Sequence, residues 1–131
     1  SSTSRGLGDV YKRQPYVHAY QRQHPTAKLH LVISMLADKD IEPVLAQLQQ
    51  FSQTVMPIDS VHSGVISHPR ASSQERLTEL LPRYFNAVSI FEDLNLATQS
   101  VIDHSQADDI ILVCGSFYTI SGVLTSQSLS E

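Results

Sequence analysis

A chain of 131 residues holds one domain with a real core and is too short for two. Its composition, 41% hydrophobic and 17% charged with no tryptophan, is ordinary for a soluble globular protein. Nine basic against thirteen acidic residues give a net charge of −4 without a basic cluster, which argues against nucleic acid or an anionic membrane as partner.

No apolar run approaches the ~20 residues that span a bilayer, and no secretory-type leader opens the chain. The single cysteine, Cys114, excludes an internal disulfide and lies within an apolar run, so a small core residue and a cytoplasmic setting are expected. Residues 1–14 are polar and without period. The stretch Gly6 to Gln14 reads as a translated adaptor or cloning scar, so 1–14 is set aside as a non-native or disordered leader. The domain is expected over 15–125, with a Ser/Gln-rich flexible tail at 126–131.

Pro15 to His24 has a weak helical pattern, ended by Pro25. Lys28 to Leu36 is a strand, rich in aliphatic and β-branched residues, and Ala37-Asp38-Lys39-Asp40 follows as a charged turn. Asp40 is placed to cap a helix whose Pro43 falls in the first turn, where a missing N–H costs little. Ile41, Val44, Leu45, Leu48 and Phe51 lie along one face of that helix.

Thr54 to Ile58 reads as a short second strand, and Asp59 to Arg70 as a loop carrying Gly64, Pro69, His62 and His68. Ser72 and Glu75 stand at capping-box separation before a helix with Leu77, Leu80 and Leu81 inward. Ala87 to Phe91 is a third strand, and Asp93 caps a helix with Leu94, Ala97, Val101 and Ile102 toward the sheet. Ile110 to Cys114 is a fourth strand buried on both faces. Gly115-Ser116 then turns the chain toward a last apolar-periodic segment, Phe117 to about Leu124, expected as a helix.

Strands alternating with helices predict a Rossmann-like three-layer α/β sandwich with a mostly parallel sheet. Such sheets bind ligands at the carboxyl ends of their strands. Asp38, Lys39, Asp40, Gly115 and Ser116 all fall on that edge, and a small anionic ligand is expected to touch Ser116. The glycine and serine also suit a plain turn and cap, and the acidic turn suits a plain helix start.

No Gly-x-x-x-x-Gly-Lys-Ser/Thr phosphate loop occurs, no Gly-x-Gly-x-x-Gly follows a strand, and no Gly-x-Ser-x-Gly elbow is present. The six histidines show no zinc-ligand spacing with one another or with Cys114, and no metal site is expected. A phosphoacceptor receiver domain would need a lysine after the last strand, where Gly115-Ser116 stands instead.

Three blocks carry a resemblance: Met35-Leu36-Ala37-Asp38-Lys39-Asp40-Ile41, Pro69-Arg70-Ala71, and Asp108 through Thr119 with its Gly115-Ser116-Phe117-Tyr118. In order and spacing they resemble the C-terminal domain of bacterial folylpolyglutamate synthase/dihydrofolate synthase, a Mur-ligase-like amide ligase family. The resemblance implies a parent enzyme that uses ATP and Mg2+ to convert a folate or dihydropteroate carboxylate to an acyl phosphate, which the amine of L-glutamate displaces. It implies that Ser116 and Gly115 contact the incoming glutamate. Asp38, Lys39 and Asp40 would form the charged turn beside the interdomain cleft, and Arg70 matches the family's Pro-Arg-Ala block among the substrate-binding residues, with no role assigned to it.

The family's Asp-x-Ala-His-Asn-Pro motif, which carries active-site residues, does not occur here. The expectation is therefore a domain truncated before its first strand, inactive alone and monomeric. It would hold no catalytic residue and bind no cofactor, ATP and Mg2+ sitting mainly in a missing N-terminal domain. Two alternatives stay open: a free-standing Rossmann-like binding or interaction module, and the C-terminal domain of another Mur-type ligase. The second fits the Gly-Ser-Phe-Tyr block less well.

Overall fold

The computed structural model describes residues 15, 17–38, 40–115 and 122–125. Strands β1 (Leu29–Ser34), β2 (Ile58–Gly64), β3 (Val88–Phe91), β4 (Ile110–Gly115) and β5 (Gly122–Thr125) form one sheet in the order β3-β2-β1-β4-β5. The first four are parallel, and β5 runs antiparallel to β4. Helices α1 (residues 17–23), α2 (Glu42–Thr54), α3 (Gln74–Leu80) and α4 (Leu94–His104) complete the fold, with a 3-10 turn at Leu81–Arg83. The Rossmann-like α/β sandwich is the observed class.

Strand β1 is central, hydrogen-bonded to β2 on one side and β4 on the other, and every one of its side chains is buried. Period-two alternation divides those side chains between two layers. Leu29, Leu31 and Ile33 join Leu45, Leu48 and Phe51 of α2 and Leu77 and Leu80 of α3 in the larger core. On the opposite face Val32 packs with Ile111 and with Val101 of α4 in a much smaller apolar cluster. The apolar stripe read along α2 is the buried one, and Pro43 sits in its first turn as expected. Cys114 is buried in the larger core.

Four local expectations need correction. The second strand is Ile58–Gly64, because Thr54 still belongs to α2. The segment expected as a loop from Asp59 is therefore strand as far as Gly64, and His62 is a buried strand residue, 3% exposed. The strand was hidden by its polar side chains: Ser60, His62 and Ser63 are buried but satisfied by hydrogen bonds. The cap of α3 is Ser73, whose Oγ accepts from the Arg76 N–H at 3.1 Å, and Ser72 lies one residue outside with its hydroxyl buried. At α2 the N-cap position is Ile41 with no capping side chain, and Asp40 Oδ1 accepts from the Glu42 N–H at 3.3 Å, ahead of the helix.

Finally, the end of the expected last helix is strand β5, with Val123 paired to Leu112 and Leu124 to Ile111. A short apolar run suits either state, and an open neighbouring edge on β4 decides for strand.

Gly64 closes β2 where α4 begins. A Cβ there would stand 2.3 Å from the Asp93 carbonyl oxygen and 2.8 Å from the Leu94 nitrogen, so only glycine admits this approach. The Leu94 N–H donates to the Val65 carbonyl at 3.0 Å, and Asp93 Oδ1 caps α4 by accepting from the Leu96 N–H.

Candidate functional site at the carboxyl edge

The chain leaves β1 at Ser34 and immediately meets the second sequence block. Leu36 bridges Ala71 in antiparallel fashion, the Ala37 N–H donates to the Arg70 carbonyl at 2.7 Å, and the Ser72 N–H donates to the Met35 carbonyl at 3.1 Å. These main-chain bonds fix the Pro69-Arg70-Ala71 segment against the turn. The Arg70 guanidinium then donates to Asp38 Oδ2 at 2.5 Å. The third block arrives from the other side, since Gly115 pairs with Ser34 at the end of β4. Parts of all three blocks, separated by up to about eighty positions in sequence, thus meet at one edge.

The Arg70–Asp38 pair is exposed, with 58% and 47% of the two side chains open to solvent. Exposed pairs of this kind contribute ~0–1 kcal/mol, so the pair is a weak constraint on folding. One of the five N–H donors of arginine is engaged by Asp38 Oδ2 in this contact, and the planar fork matches a carboxylate or phosphate. Asp38, Asp40, Arg70 and Gly115 are brought together on the edge expected from the sequence. Lys39 and Ser116 lie outside the described residues.

A second polar group, unforeseen in the sequence, lies at the opposite, amino end of the strands under α4. Asp109 accepts from the Lys28 N–H at Oδ1 and from the Gln106 N–H at Oδ2, both at 2.9 Å. His30 Nε2 lies 2.8 Å from Asp109 Oδ2, and His30 Nδ1 lies 2.7 Å from Ser60 Oγ. Ser60 Oγ continues to His62 Nε2 at 2.8 Å, and His62 Nδ1 meets Ser100 Oγ of α4 at 3.1 Å.

One set of protons satisfies the whole chain: Ser100 donates to His62, His62 to Ser60, Ser60 to His30, and His30 to Asp109. Burial lowers the pKa of His62 to about 4, with repulsion from His104 and His30 acting in the same direction. For Asp109, burial pushes the pKa upward, but the Lys28 and Gln106 N–H bonds and His30 outweigh it and hold the carboxyl below its ordinary value. His104, at the end of α4, adds a third imidazole, with ring centroids 5.4 Å from His30 and 5.7 Å from His62.

The fold is a mostly parallel α/β sandwich, a class whose ligand sites lie at the carboxyl ends of the strands. Residues 16–117 match the family described as Mur ligase, glutamate ligase domain, and the chain belongs to that family. It is 34% identical over 93 residues to dihydrofolate synthase/folylpolyglutamate synthase of Escherichia coli (strain K12), which covers 71% of this chain. The chain spans about a fifth of that relative's length, 20%. No solved structure gives a significant match. Among the described residues, no helix is long and apolar enough to cross a membrane.

Proposed function

We propose that this domain serves an ATP-dependent ligase that joins L-glutamate to folate or dihydropteroate through an acyl phosphate, with the carboxyl edge of the sheet facing the reaction. The single observation that carries the reading is the convergence of the Asp38 turn, Arg70 and Gly115 on that edge, in a chain of the glutamate ligase domain family. Arg70 offers a fork to the glutamate carboxylate or to phosphate, and Asp38 holds it aligned until the anion arrives. Lys39 supplies a further positive charge, and Gly115, at the mouth of the β1–β4 crevice, receives the glutamate together with Ser116, the next residue in sequence. ATP and Mg2+ bind mainly on a separate nucleotide-binding domain, and this domain positions the amino acid and closes the cleft.

The test exchanges this chain for the matching segment of the E. coli relative and follows ATP-dependent incorporation of labelled glutamate. Incorporation into dihydropteroate or a reduced folate, with one ADP formed per amide bond, is the expected result. A folded chimera that forms no amide with any folate acceptor would overturn the reading.

A further inference from the structure

The amino end of the sheet carries a donor set that the ligase reading does not use. We propose that His30, Asp59 and His104 form a binding site for a divalent transition-metal ion of the zinc type, which ties the end of α4 to β1 and β2. One ligand atom from each lies within 4.8 Å of the other two. Ligands around tetrahedral zinc sit ~3.3–3.6 Å apart, from bond lengths of ~2.0–2.2 Å. Closing from one spacing to the other takes only small rotations of the two surface side chains. His104 and Asp59 are free to make them, with 54% and 40% of their side chains exposed, and His104 Nε2 already stands 4.0 Å from Asp59 Oδ2.

The backbone presents these groups deliberately. Leu29 pairs with Ile58 while His30 pairs with Ser60, so Asp59 is the extra residue of a bulge in β2. A bulge re-aims a side chain that regular alternation would send to the other face. Here it leaves Ser60 bonded to His30 and His62, and Asp59 within 4.0 Å of His104 at the end of α4. The three ligands therefore come from a strand, a bulge and a helix end.

His30 is prepared as a buried ligand. Metal-bound imidazoles characteristically keep their second nitrogen hydrogen-bonded, commonly to a carboxylate. Both nitrogens of His30 are hydrogen-bonded, so binding exchanges one of these bonds for the ion: with Nδ1 on the metal, the Ser60 hydroxyl gives up its bond there while Nε2–H keeps Asp109. Two imidazoles and one carboxylate favour zinc, cobalt or nickel over magnesium or calcium, which take oxygen ligands. His104 also lines an open groove with Ser100 and Asp103, from which a solvent water would take the fourth position.

The experiment uses the tag-free full chain, stripped with chelator and titrated with Zn2+ and, separately, Co2+. One equivalent of Zn2+ should bind and raise the melting temperature. Co2+ should give the visible absorption of a tetrahedral centre. His104→Gln and Asp59→Asn change exposed residues, and each should weaken binding at least tenfold while leaving the metal-free melting temperature in place. His68→Gln, elsewhere on the surface, should leave binding unchanged. No saturable binding by the intact chain would overturn the proposal. So would wild-type affinity in the His104→Gln/Asp59→Asn double variant. Neither result bears on folate ligation, which the chimera tests separately.

Discussion

The two ends of this sheet use polar residues in opposite ways. At the carboxyl edge, Asp38, Asp40 and Arg70 stand on loops, open to water and weakly tied. At the amino end, Asp109, His30, Ser60 and His62 are buried in contiguous hydrogen bonds between strands. Removing a partner from the buried chain strands the others away from water, whereas removing one from the exposed edge lets water replace it. Substitutions at the amino end should therefore cost stability, and those at the carboxyl edge should cost function.

The largest effect is expected at Asp109. Its two oxygens accept from Lys28 N–H, Gln106 N–H and His30, so asparagine would turn its amide NH2 against a donor in either orientation. Breaking a buried, hydrogen-bonded pair from one side costs ~3–5 kcal/mol, and Asp109→Asn should lower unfolding stability in urea by about 4 kcal/mol on that basis. A loss below about 1 kcal/mol would show that water already serves these groups. Next comes Gly64→Ala, whose methyl would collide with the backbone of Asp93 and Leu94 rather than with a yielding side chain. Overpacking of this kind costs ~1–3 kcal/mol or more, and a value near the upper end is expected from denaturant unfolding.

A smaller effect follows from acid. His62 has its folded-state pKa lowered from 6.5 to about 4, so the unfolded chain binds the proton more readily. Stability contributed by this histidine is full above the unfolded value and is lost as pH falls from about 6.5 toward 4. Asp109, also lowered in the fold, adds a loss of the same sign at more acidic pH. With EDTA present to remove metal, His62 should account for a fall on the order of 2 kcal/mol after solvent screening is allowed for. His62→Gln should flatten the curve in that window, and an unchanged slope would exclude His62 as the source.

The same contrast explains what could be read from the sequence. Aliphatic runs and helical periodicity made β1, β4, α2 and α4 legible, because burial there is apolar on recognisable spacing. Asp93 was legible as a cap because it stands alone before its helix, whereas the adjacent Ser72 and Ser73 left the cap of α3 uncertain by one residue. Strand β2 was illegible: Ile-Asp-Ser-Val-His-Ser-Gly hides its burial in hydrogen bonds, and those from Ser60 to His30, Ser63 to Ile33 and His62 to Ser100 reach partners thirty or more positions away. No spacing rule links His30 to Asp109, since only the parallel pairing of β1 with β4 brings them together. The exposed edge was legible for another reason, its residues falling in short contiguous blocks that resemble a known family.

Arg70→Ala is the sharpest test of the division, although its effect on folding should be the smallest. The guanidinium meets one carboxylate in open solvent, while the backbone bonds from Ala37 to Arg70 and from Ser72 to Met35 do not depend on the side chain. Stability should therefore change by less than about 0.5 kcal/mol. In the ligase chimera the same change should lower glutamate incorporation by roughly tenfold to a hundredfold, the scale of one lost charge-assisted contact worth ~1.5–3 kcal/mol. Arg70→Lys separates charge from shape: lysine keeps the charge but loses the planar fork. Partial activity with lysine would mean that charge at this edge suffices. Activity as low as with alanine would mean that the fork itself is read. An alanine variant with full activity but a large stability loss would reverse the division, making the carboxyl edge the structural end of the sheet.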